Sequence, residues 1–188
     1  MVVMRSLLVA AALLAAFSFA ATDAASTRPA STSVDPRRGD PLTGEWRTAV
    51  IPMTHIRSVL VAAGYSAPEI DAFLREFDLR RARSLRFDLD FYRVGASSFV
   101  RQVGWDPARG AKPAGKGYPY GRQSPNLIDI VSADRNNRSL HVFAYNVKGK
   151  RLRLRFVSSQ SPDLSKKRLR LLNCWLYAVA ASPYTKVA

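Results

Sequence analysis

Cysteine is almost absent from this 188-residue sequence, where Cys174 stands alone. A single thiol cannot build a disulfide framework within the chain, and it excludes the Cys-rich zinc modules. Histidine is nearly as scarce. His55 and His141 are the only two, too few for a His-based metal site. Acidic residues number 14 against 29 Lys and Arg, a net charge of +15. An excess of that size predicts anionic partners or surfaces and says nothing about fold. The one long apolar run, Ser6–Ala21, has about 16 residues, short of the ~20 that a spanning helix needs. No transmembrane segment is therefore expected in the mature chain. Nucleophile motifs are missing too: there is no Gly-x-Ser-x-Gly and no Cys-Gly-Ser. Neither catalytic residues nor a cofactor or metal are assigned, and the expectation is a protein that is not an enzyme. Asp88 and Asp90 share a face with Arg86, and Asp90 opposes Arg101; they read as solvated ion pairs rather than an acid/base couple.

What is present begins with an address. Met1–Arg5 carries a positive charge, Ser6–Ala21 is apolar, and small residues follow in Ala20–Ala25. That is the pattern of a secretory signal, so residues 1–25 read as a signal peptide and the protein as secreted. Residues 26–41 are rich in Ser, Thr, Pro and Arg and read as a flexible linker. The folded domain is expected over 42–188, interrupted at 106–126 by a long flexible loop dominated by Gly, Pro, Lys and Arg. In an oxidising compartment Cys174, set in an apolar run, is expected to be buried and inert.

Between the breaks the apolar residues alternate. Leu85, Phe87, Leu89 and Phe91 interleave with polar residues, as in a half-buried strand. Gly95-Ala96 permits a tight hairpin into Ser97–Trp105. That turn sets Asp90 opposite Arg101 and Phe91 opposite Val100, so charges meet on the wet face and apolar groups on the dry one. A second hairpin joins Leu140–Val147 to Arg151–Val157. A turn at Lys148-Gly149 would pair Tyr145 with Leu152, Phe143 with Leu154 and His141 with Phe156. Leu127–Val131 and Arg168–Leu172 read as further short strands, and Tyr184–Val187 as a last one. Helices are expected over Thr54–Ala63 and Pro68–Phe77, hinged at Gly64, with Ile70, Phe73, Leu74 and Phe77 forming an apolar stripe. A short C-terminal helix fits Asn173–Ala181. The fold class is mainly β: a closed antiparallel barrel of about eight strands with a helix pair after the first strand.

Gly44-Glu45-Trp46 looks like the Gly-x-Trp opening of lipocalin-type barrels. Leu60-Val61-Ala62-Ala63-Gly64, then Glu69-Ile70-Asp71, and finally Pro183-Tyr184-Thr185-Lys186-Val187 follow in order. Together these resemble small secreted lipocalin-like (calycin-type) proteins of actinobacteria over most of the mature chain. The resemblance implies that Trp46 packs against Lys186 through a cation–π contact of roughly 0.5–2 kcal/mol. The helix pair departs from lipocalins towards the plan of fatty-acid-binding barrels.

Two candidate sites follow. The inward faces carry Phe87, Phe91, Gln102, His141, Phe143, Tyr145 and Phe156, an apolar lining with a few polar tips. It suits a small apolar or amphipathic ligand, or it is simply a packed core. On the outside, Arg151, Arg153 and Arg155 share one strand face, and Arg168 and Arg170 would share the next. Five guanidiniums on one patch would suit an anionic cell-envelope polymer or lipid headgroups, or serve only as solvated surface charge. Nucleic acid is disfavoured, because no aromatic platform interleaves the arginines.

Overall fold

The computed structural model describes residues 39–110, 112–134 and 137–187. The stretch read as a signal peptide, most of the stretch read as a linker and the centre of the turn expected at 134–137 lie outside the described residues. The chain runs β1 (Gly44–Thr48), β2 (Ile51–Pro52), α1 (Met53–Ala62), α2 (Ala67–Glu76), β3 (Ser84–Val94) and β4 (Ser97–Trp105). It continues through β5 (Lys116–Ser124), β6 (Leu127–Asp134), β7 (Asn137–Lys148), β8 (Arg151–Gln160), α3 (Lys166–Val179) and β9 (Tyr184–Lys186). Strands β3 to β9 pair with their neighbours in order, and β1 closes the ring by pairing with both β9 and β3. The result is an eight-stranded antiparallel barrel with β2 added beside β3. Closure leaves the eight strands without a free edge.

The alternation seen in the sequence sets the register. In the β3–β4 hairpin Asp90 faces Arg101 and Phe91 faces Val100, as expected. In the β7–β8 hairpin the turn falls one residue later, at Gly149-Lys150. Tyr145 therefore pairs with Leu154 and Phe143 with Phe156. The faces are unchanged, but each partner moves by two. Of the two turn residues only Gly149 has positive φ (57°), and a turn with Gly at its first central position suits a two-residue hairpin. A bulge at Val142/Phe143 then sets His141 opposite Ser159 rather than Phe156.

Three further expectations are corrected. Residues 116–124, read as loop, form β5 between β4 and β6. There Tyr118, Tyr120 and Arg122 alternate inward with outward Gly and Pro. Arg168–Leu172 is helical: α3 runs unbroken from Lys166 to Val179 and is capped by the Ser165 hydroxyl, which accepts from the Arg168 N–H. Asp88 is buried rather than solvated. It receives Arg47 Nε and Nη2 at 2.9 Å each and Lys112 Nζ at 2.8 Å.

Helices α1 and α2 fall within a residue or two of expectation, and Gly64 at φ 83° makes the bend between them. Ile70, Phe73 and Leu74 are buried. Glu69 accepts from the Ser66 N–H and hydroxyl at 2.8 Å each, tying the first turn of α2. One end of the barrel is closed by the chain entering β1. Leu42 is fully buried, and its carbonyl accepts from the Trp46 indole N–H at 2.6 Å. The Asp40 carboxylate accepts from the Tyr120 hydroxyl at 2.6 Å, so the last residues of the stretch read as linker are pinned to the wall. Trp46 is fully buried, and Lys186, its partner in the β1–β9 pairing, sits 5.3 Å from its ring centroid. That is the pair the resemblance implied.

Candidate functional site

The two ends of the barrel interior differ. Towards β1 the interior is solid: Phe91 meets Tyr120 edge-on at 5.2 Å, and Arg122 lies over the Tyr145 ring at 5.9 Å. Towards α3 it is hollow. A cavity of about 470 Å³ opens there, within the ~300–1,000 Å³ range of small-molecule sites. Its walls are β4, β6 and β7. Its cover is α3, through Leu172, Trp175 and Leu176, with Phe77 from the end of α2. Pro113, Ala114 and Gly115 run along its rim into Lys116 and Tyr118 of β5.

Small residues shape the aromatic side. Gly104 faces inward, and a Cβ there would stand 2.6 Å from Phe87 Cε1 and 2.7 Å from Trp175 Cη2. The missing side chain lets the two rings meet edge-on at 5.4 Å against the wall, while Phe77 stacks on Trp175 at 5.1 Å.

The opposite side is polar. Ser132 and Ser139 face each other across β6 and β7, next to the Ile130–His141 pair. The Ser132 hydroxyl lies 3.1 Å from His141 Nε2. His141 is 4 % exposed, and its Nδ1 has no hydrogen-bond partner among the described residues. Burial pulls its pKa down to about 4, so the ring is neutral at ordinary pH. Gln102 brings an amide from β4.

Of the seven residues expected to line a ligand site, Gln102, His141 and Phe143 line this cavity. Phe87 and Phe156 are buried beside the cavity, Phe156 between Phe143 and Tyr177 at 5.7 and 4.9 Å, whereas Phe91 and Tyr145 are buried in the solid end. Cavity and packed core, alternatives at the level of sequence, thus coexist at the two ends of one barrel. Ser132, Ser139, Leu172, Trp175 and Leu176 were missed. Ser132 continues the Ile128, Ile130 alternation by one step. Leu172, Trp175, Leu176 and Val179 follow the i, i+3, i+4, i+7 helical spacing, the signal that could have revealed them.

The outer basic patch is smaller than expected. Arg151, Arg153 and Arg155 are exposed on β8 and pair with no acidic side chain among the described residues. Lys148 is the cross-strand partner of Arg151. Arg168 and Arg170, however, lie on α3, and the neighbours of β8 are β7 and β9. Arg170 is engaged by Glu69 and lies 4.7 Å from the Tyr65 ring centroid. Cys174 is fully buried, with burial pushing its thiol up to about 11. No cluster of three or more His, Cys, Asp or Glu suited to a metal occurs among the described residues. No protein-family model, curated protein or solved structure matches the chain.

Proposed function

We propose that this barrel is a secreted, lipocalin-like binding protein that encloses a small, mainly apolar ligand under α3 and does not transform it. The observation that carries the reading is the 470 Å³ cavity, walled by Phe77, Ile130, Phe143 and Trp175 with a few polar groups at one side. Gly104 supports it, because the aromatic block needs that position bare and leaves the space beside it open. The test is titration with N-phenyl-1-naphthylamine, a neutral probe that fluoresces in apolar surroundings. Saturable binding is expected, unchanged between low and high salt. Phe143→Trp, which pushes extra volume into the cavity, is expected to weaken it at least about 10-fold. Absence of saturable binding contradicts the reading.

A second reading places function on the outside, with Arg151, Arg153 and Arg155 docking on an anionic envelope polymer or lipid headgroups. The unpaired row of three guanidiniums favours it. Binding of that kind weakens as salt screens exposed charges over ~8–10 Å. It is lost in Arg153→Ser/Arg155→Ser, whereas cavity binding is not.

A further inference from the structure

Resting on the cavity reading, we infer that the polar side of the cavity receives a hydroxyl group, so that the ligand is an uncharged, mainly apolar alcohol. His141 is the carrier of this inference. It lines the cavity, is 4 % exposed, and keeps one ring nitrogen without a partner among the described residues. Three buried polar side-chain atoms lack a partner among the described residues, Arg86 Nε, Tyr145 Oη and His141 Nδ1, and of the three residues His141 alone lines the cavity, which marks its polar edge as a place for a ligand group. The tautomer decides what that nitrogen offers. If Ser132 donates to Nε2, Nδ1 carries the proton and donates; if Nε2–H donates to Ser132, Nδ1 accepts. A hydroxyl, both donor and acceptor, fits either case.

Charge argues the same way. Among the described residues, His141 and Lys116 are the only ionisable cavity residues besides Tyr118, and Lys116 is exposed at the rim. The buried imidazole is neutral. A carboxylate brought to His141 would leave water for a neutral ring. Ser132, Ser139 and Gln102 offer dipoles suited to an uncharged oxygen.

Calorimetric titration of the full chain at pH 7.5 with naphthalene, 2-naphthol and 2-naphthoate tests this. 2-Naphthol is expected to bind roughly 2- to 12-fold tighter than naphthalene, the worth of one net hydrogen bond. 2-Naphthoate is expected to bind at least about 10-fold weaker than 2-naphthol. His141→Leu should bring 2-naphthol to the naphthalene level while naphthalene still binds. Should that variant not fold, the His141 Nδ1 resonance of the wild-type protein, expected to move on adding 2-naphthol, decides instead. Equal binding of naphthalene and 2-naphthol, tightest binding of 2-naphthoate, or an unmoved Nδ1 resonance overturns the alcohol inference and leaves the cavity reading standing. Binding of none of the three overturns both.

Discussion

Replacing Asp88 by Asn removes one charge from a buried cluster and leaves its shape intact. The Asp88 side chain is 7 % exposed and accepts three charge-assisted hydrogen bonds, two from Arg47 and one from Lys112. Deleting one partner of a fully buried ion pair costs about 3–5 kcal/mol, because the other charge is stranded. Here the stranded cations are 39 % and 37 % exposed and can turn to water, which reduces the figure to about 1–3 kcal/mol. At roughly 2–4 °C per kcal/mol for a chain of this size, Tm should fall by about 2–12 °C. The loss has a pH signature. Burial alone would raise the Asp88 pKa; the hydrogen bonds from Arg47 and Lys112 outweigh it, and the net shift is downward. A folded-state pKa below the unfolded one means stability that is fully present above pH ~4 and lost as pH falls through the folded value. Urea unfolding of wild type and Asp88→Asn should therefore differ by a constant amount above pH ~5 and converge below ~4. A difference under ~0.5 kcal/mol at pH 7, or one that persists undiminished to pH 2, refutes the reasoning.

Other expected outcomes follow from single contacts. Trp46→Phe loses the bond to the Leu42 carbonyl and part of the cation–π contact with Lys186, and should destabilise by about 1–3 kcal/mol in urea unfolding. Gly104→Ala drives a methyl into Phe87 and Trp175; overpacking should cost about 1–3 kcal/mol and alter the near-ultraviolet dichroism of the aromatic block. The His141 ring, neutral by burial, should titrate by NMR near pH 4. Because that lies below the ordinary ~6.5, wild-type stability should fall as pH drops from ~6.5 towards 4, a slope that His141→Leu flattens.

Much of the barrel was legible because a strand with one dry face writes its period into the sequence. Leu85 to Phe91 and Leu152 to Phe156 alternate without a break, and an offset of one would bury charges; an offset of two would not, which is why the second hairpin slipped by a turn residue. β5 was hidden by composition. Lys116-Gly117-Tyr118-Pro119-Tyr120-Gly121 reads as loop, and only its neighbours β4 and β6 make it a strand. In α3 the Arg168-Leu169-Arg170-Leu171 alternation imitates a strand, while the helical spacing that overrides it begins at Leu172. Both errors fell on the candidate site, since β5 forms its rim and α3 its cover. His141, Gln102 and Phe143 were found because their strands were. Asp88 was misjudged because Arg47 and Lys112 reach it from distant sequence positions that no local pattern connects.

The most direct test of the account is native mass spectrometry of the protein purified from cultures of the cells that make it. An enclosing barrel with a cavity of this size predicts a mass above that of the chain by one stoichiometric small molecule, released on denaturation and identifiable in the extract. A clean apo mass, unchanged after incubation with N-phenyl-1-naphthylamine, would contradict the account.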